Sequence, residues 1–356
     1  MLFLETEHKI VKEVLEEKLG EDALRPVDPL QVRLCDFDDA QYEIFIENST
    51  LTVSLIYAPY KDIEEYGVKH MFPEKYAEFA IVTPKEGFDL SLQIDVNAIN
   101  SENSASIIHR LALLKRNILG APFEQCFQAL KAGNAAALGA IQIPFRRYEC
   151  IYILPQSDRV VVVFSVFFED KTDQAIARVF LQELVDSRRA VNNAPPVAFN
   201  KDPPLELRGA SNLHGGKGLV GYLSFAIFTG HVDTIEKCEK AATMLQGFRN
   251  YLHYHIKCSK TYLHIRMRKR VDLLLQVLNR SRPERDPAKV TKKTITGRTF
   301  ELVDSRRAVN NAPPVAFNKD PPLELRGASN LHGGKGLVGY LSFGMRSILV
   351  YALIRG

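Results

Sequence analysis

Little in this chain is equipped for covalent chemistry. Its five cysteines (Cys35, Cys126, Cys150, Cys238, Cys258) are scattered and form no CxxC pair. That pattern excludes a disulfide framework and reads as reduced thiols in a cytosolic protein. No apolar run reaches the roughly 18 residues of a membrane span. The start, MLFLETEHK, lacks the long apolar core of a signal peptide. No GxSxG, HExxH or P-loop is present. Acid pairs such as Asp38-Asp39 read as solvated turn residues. Nothing brings a nucleophile, a base and an oxyanion site together, so no catalytic, cofactor or metal residue is assigned and no enzyme is expected.

Two motifs have a sharp and a plain reading. GKGLVG (Gly216, Gly218, Gly221) fits GxGxxG, but a dinucleotide fingerprint needs a strand before it and a helix after it. Here a loop precedes and a strand follows, so a glycine-rich turn entering a strand is the better reading. His253, His255, Cys258 and His264 have the chemistry of zinc ligands. On a helix, residues two apart diverge, and only His255 and Cys258 have a useful spacing. Packed or solvent-facing histidines are therefore expected.

The bulk composition is that of an ordinary globular chain: 46% hydrophobic and 25% charged over 356 residues, enough for two domains. Residues 7–19 place Ile10, Val11, Val14, Leu15 and Leu19 on one helical face, and Gly20 ends it. YEIFIE, LTVSLIY, EFAIVT and FDLSLQIDV then read as strands, the last two flanking a PKEG turn. A helix from Ser104 carries Ile107, Ile108, Leu111, Leu114 and Ile118, and Gly120 with Pro122 is expected to break it. The order then recurs without the sequence recurring. FEQCFQALKAG reads as a short helix. AIQIPFRRYECIYIL and RVVVVFSVFFE read as a hairpin across PQSD. A helix over 173–186 carries Ile176, Val179 and Phe180, and PPVAFN and GLVGYLSFAIF are further strands, the proline-flanked one at an edge. The expected fold is α+β: two similar antiparallel-sheet-plus-helix domains, 1–120 and 121–300, followed by a long C-terminal α-helix within the second.

That helix is marked by another scarcity. From 232 to 282 there is no proline and a single glycine, Gly247. A continuous helix of this length runs roughly 75 Å, whereas a 150-residue domain is only about 30–40 Å across. One end must overhang or the helix must break. Leu245, Phe248, Leu252, Ile256, Leu263, Met267, Leu274 and Leu278 form one apolar stripe. Tyr251, Tyr254, Cys258, Tyr262 and Ile265 form a second. Two stripes imply two partners, one the chain's own sheet and the other a second subunit. The partner-packing candidates are Leu245, Phe248, Tyr251, Leu252, Ile256, Tyr262, Leu263, Met267, Leu274 and Leu278. The same region is basic: Arg249 to Arg298 holds fourteen Lys or Arg against three acids, although the whole chain carries only +4. An acidic partner surface fits this pole. Nucleic acid fits less well, because the cations share the helix with apolar stripes and no zipper, zinc finger or helix-turn-helix accompanies them. A basic nucleic-acid-binding or scaffolding protein of another complex is the alternative reading.

FRNYLHYHIKCSKTYLHIRMR (248–268), VLNRSRP (277–283) and KKTITGRTF (292–300) resemble the C-terminal end of the subunit 2 family of the actin-related protein 2/3 complex. LLKRN (113–117), DRVVVVFSVFFED (158–170) and PPLEL (203–207) match further upstream. The resemblance implies two similar α/β domains and a long helix that packs on a helix of subunit 4. The heterodimer would form the core of an assembly that holds two actin-related proteins and binds the side of an actin filament, from which a branch grows. It implies a cytoplasmic, cytoskeletal, non-catalytic role with no cofactor, no nucleic acid and no membrane partner. Arg249, Lys257, Lys260, Arg266, Arg268, Lys269, Arg270, Arg280 and Arg282 are the candidates for filament and subunit contacts.

The resemblance stops near Phe300. Residues 301–343 repeat 183–225 without a difference. The copy begins inside one predicted element and ends inside another, so it holds no unit able to bury its own apolar residues, unlike a structural repeat. Such edges mark a duplicated exon or a gene-model error, and 301–356 is expected to be a poorly ordered tail.

Overall fold

The structure, a computed structural model, describes residues 6–20, 27–188, 193–207, 216–281, 291–293 and 299–301. These fall into two units, divided after Cys258.

The first unit opens with α1 (Lys9–Leu19), which buries Val11, Leu15 and Leu19 on one face. His8 precedes it, and its Nδ1 accepts a hydrogen bond from the Val11 amide at 3.1 Å. Strands β1 (Leu30–Cys35), β2 (Gln41–Glu47) and β3 (Thr50–Ile56) form a meander. Helices α2 (Tyr60–Ile63) and α3 (Lys69–Lys75) lead to β4 (Ala80–Val82) and β5 (Leu90–Asp95). The antiparallel sheet order is β1-β2-β3-β5-β4. Helices α4 (Ser104–Ala112) and α5 (Leu114–Lys131) follow. A second meander, β6 (Ile141–Arg146), β7 (Glu149–Pro155) and β8 (Arg159–Phe167), then leads through α6 (Lys171–Arg188) to β9 (Val197–Asn200) and β10 (Leu219–Phe228). Its order, β6-β7-β8-β10-β9, is that of the first sheet. The α+β expectation, two antiparallel sheets with helices and a long terminal helix, is met.

Several details differ from the sequence reading. Gly120 and Pro122 do not break a helix; α5 runs through both, and the break falls at Leu113. Pro122 removes one backbone donor, but Ile118, Leu119, Ala121, Phe123 and Phe127 around it are all buried, so tertiary packing overrides the local cost. AIQIPFRRYECIYIL is two strands, not one, turning at Arg147-Tyr148, which carries neither glycine nor proline. Strand β1 and helices α2 and α3 had no clear periodic signal. Val179 lies on the exposed side of α6.

The GKGLVG stretch enters β10, and its glycines serve close packing. A Cβ on Gly218 would lie 2.3 Å from the Phe167 ring. Gly221, at φ +154°, would meet the Asn200 carbonyl at 2.4 Å. Asp38 is not a solvated turn residue either. Its side chain is 1% exposed, at a left-handed φ of 63°.

Helix α7 (Ile235–Arg280) is continuous over 46 residues. Its residues up to Cys258 belong to the first unit. The second unit takes Ser259–Arg280 and a short antiparallel pair, β11 (Thr291–Lys293) with β12 (Thr299–Glu301). Beyond Glu301 the duplicated segment lies outside the described residues.

Candidate interaction helix

The first half of α7 is committed to its own fold. Thr234 precedes the helix, and its Oγ1 accepts from the Lys237 amide at 3.1 Å, satisfying one of the donors a helix start leaves open. Leu245, Phe248, Leu252 and Ile256, at three- and four-residue steps, are buried. Phe248 packs 5.3 Å from Phe164 of β8 and 5.1 Å from Phe225 of β10, centroid to centroid. Tyr251 is buried against His255, whose ring also stacks on Phe180 of α6. His253 stacks nearly parallel on Phe168 at 5.7 Å. Burial, together with the nearby Arg249 charge, pushes the His253 pKa down to about 4. These histidines are packing residues, and among the described residues no group of three or more His, Cys, Asp or Glu could hold a metal.

Buried charges fix this half in register. Arg249 is 3% exposed. Its Nε donates to Glu149 Oε1 and Oε2 at 2.7 and 2.8 Å, its Nη2 to the Phe167 carbonyl at 3.2 Å, and its guanidinium lies 4.7 Å from the Phe168 ring centroid. Burial pulls its pKa below the usual value, with Glu149 opposing. Asn250 donates to Asp38 Oδ2 at 2.7 Å, and Arg146 reaches both Asp38 Oδ1 and Asn250 Oδ1 at 2.6 Å. Arg116 of α5 donates to the Glu239 carbonyl at 2.7 Å, to Thr243 Oγ1 and to Glu124. Lys257 is ion-paired with Asp173 at the start of α6. Both sheets and two further helices thus hold α7 through desolvated polar contacts, the kind whose one-sided loss is costly.

From Ser259 onward the helix is different. Tyr262, Ile265, Met267, Val271, Leu273, Leu274, Leu275, Val277 and Leu278 are all roughly half exposed or more, Met267 reaching 64%. At about 100° per residue, Leu263, Met267, Val271, Leu274 and Leu278 share one face. Tyr262, Leu273 and Val277 share the adjoining one, with Arg266 and Arg270 between them. Arg266 lies half-buried, 5.6 Å over the Tyr262 ring. Arg268, Lys269, Arg270 and Arg280 are exposed and Lys260 is half-buried, and Asp272 is the sole acid of this half. An apolar helix surface of this breadth belongs in an interface.

The structure therefore redraws the candidate set. Leu245, Phe248, Tyr251, Leu252 and Ile256 are buried by the chain itself and leave the partner-packing list, while Tyr262, Leu263, Met267, Leu274 and Leu278 stay on it. Arg249 leaves the contact list because Glu149 neutralises it in the interior. Lys257, Lys260, Arg266, Arg268, Lys269, Arg270 and Arg280 stay, and Arg282 lies outside the described residues. The division between own fold and partner runs along the helix axis, not between two stripes. Sequence reasoning missed Val271, Leu273, Leu275 and Val277, although VDLLLQVL was there to be read. It also missed Asp38 and Glu149, which lie 212 and 100 residues before their α7 partners and leave no local signal.

This is the construction of a structural subunit, two sheets holding a long helix whose outer half lacks cover. Comparison with known proteins makes the class specific. The family model "Arp2/3 complex, 34 kD subunit p34-Arc" matches residues 53–285. The chain is 35% identical over 305 residues to actin-related protein 2/3 complex subunit 2 of Dictyostelium discoideum, with 85% of this chain and 99% of the relative covered. It is 34% identical to the protein of the same name from Schizosaccharomyces pombe, covering 84% and 99%. The chain belongs to the p34-Arc family and is a structural, non-enzymatic component of the actin-nucleating Arp2/3 complex of the cytoskeleton.

Proposed function

We propose that the outer half of α7, residues 259–280, is where this chain joins another subunit of the complex, and that its exposed cations serve the contact with the actin filament. The observation that carries the reading is the set of nine exposed large apolar side chains between Tyr262 and Leu278. Burying a Leu, Met or Val fully is worth about 1.5–3 kcal/mol. At half exposure each of these forgoes about 1 kcal/mol, and the sum is repaid only by a partner. The family resemblance names that partner as the long helix of subunit 4, which would complete a heterodimer core. Arg268, Lys269 and Arg270 form an uninterrupted exposed basic run, suited to the acidic side of a filament, whereas Arg266, stacked on Tyr262, is placed for a subunit contact.

The test is Leu274→Glu with Leu278→Glu in the full chain, co-expressed with the other subunits. The pair should abolish co-purification with subunit 4 and leave the chain's own far-ultraviolet dichroism and melting unchanged, because neither side chain is buried in its fold. Normal assembly of the double variant would defeat the proposal.

A further inference from the structure

Helix α1, the end of β1, helix α5 and the middle of α7 enclose an open cleft of about 640 Å³, lined among others by His8, Asp36, Tyr42, Lys115, Gln246 and Gly247. It lies wholly within the first unit and apart from the exposed half of α7. Two of its residues have no use inside the chain. Gln246 is 9% exposed, yet its amide has no hydrogen-bond partner among the described residues. A glutamine so deeply placed normally has one. Gly247 sits in a helix interior, where glycine is worse than every residue but proline. Nothing in the fold asks for it, because a Cβ there would meet no atom within 4 Å. A glycine without an internal reason marks a place where another backbone comes close.

The charges of the cleft select the ligand. Lys115 is paired with Asp36 at 3.0 Å, and Arg116 with Glu124 at 2.7 Å. The cations are already neutralised, which disfavours a phosphate or carboxylate ligand. Gln246 offers one carbonyl acceptor and an NH₂ donor side by side, the complement of a peptide group. We propose that the cleft seats an extended segment of polypeptide from another subunit of the complex, its main chain crossing Gly247 and one of its peptide groups paired with Gln246. The proposal rests on the chain being a subunit of that assembly and is independent of what covers residues 259–280.

The experiment places a photocrosslinking amino acid at Ile10, an exposed residue on the cleft wall, in the assembled complex. It compares Gly247, Gly247→Ala and Gly247→Leu. The expected result is an adduct to one short stretch of another subunit, weakened about tenfold or more by Gly247→Leu, while both variants melt no lower than the parent. An adduct confined to this chain, no adduct, or an intersubunit adduct indifferent to Gly247→Leu would each overturn the proposal. Since Leu274 and Leu278 are untouched, assembly itself should persist.

Discussion

The ion pair between Arg249 and Glu149 gives the sharpest quantitative test of how α7 is held. Both side chains are nearly inaccessible, at 3% and 4%. Replacing Glu149 with leucine strands a guanidinium whose remaining acceptor is the Phe167 carbonyl at 3.2 Å. Removing one member of such a buried pair costs about 3–5 kcal/mol. Arg249→Leu strands the carboxylate instead, but Glu149 still accepts from the Phe167 amide at 2.8 Å, so its cost should sit at the lower end. Replacing both with leucine removes the desolvation penalty along with the attraction and should be roughly neutral, within about 1 kcal/mol. At about 2 °C per kcal/mol for a chain of this size, each single variant should melt about 6–10 °C lower and the double near the parent. Urea unfolding of the full chain, followed by far-ultraviolet dichroism, gives the coupling energy as a double-mutant cycle. If the double costs the sum of the singles, or either single costs under about 1 kcal/mol, Arg249 is not a buried, neutralised anchor and returns to the surface candidates.

Further outcomes follow from the same geometry. Joint reversal of Arg268, Lys269 and Arg270 to glutamate should lower co-sedimentation of the assembled complex with actin filaments, most strongly at low salt, because exposed charges act through a screened field; unchanged binding would remove these residues from the filament contact. His253 is held neutral, with a folded pKa of about 4 against 6.5, so its contribution to stability is full above pH 6.5 and lost as pH falls toward 4. His253→Phe should flatten the stability profile across that window, and equal slopes in parent and variant would refute it. Glu124 is driven upward by burial but more strongly downward by Lys75 and Arg116, leaving it below 4.5. Its contribution is present above pH 4.5 and fades as pH falls through the lower folded value. Glu124→Gln should therefore cost stability at neutral pH and little in acid, read from unfolding at both.

Much of the architecture could be read from periodicity. Val11, Leu15 and Leu19 give a helical face, Leu90, Leu92 and Ile94 a strand face, and both were buried as expected. The errors fell where tertiary burial overrode local chemistry. Pro122 sits inside α5 because its neighbours are packed on every side, and the Arg147-Tyr148 turn bears no turn residue because the sheet on either side enforces it. The candidate site was half legible. Its exposed part, Tyr262 to Leu278, is local and periodic, so its residues could be named. Its anchored part depends on acids far away in the chain, and no helical pattern distinguishes Arg249 from Arg268.

The amino-acid sequence alone settled that a proline-free, apolar and basic helix ends the recognisable chain, because helix propensity and side-chain spacing act over a few residues and need no fold to express them. Only the tertiary structure decided where along that helix the chain's own body stops covering it. Burial is set by which distant strands and carboxylates arrive beside each residue, and the same leucine or arginine is core at one turn and surface three turns later.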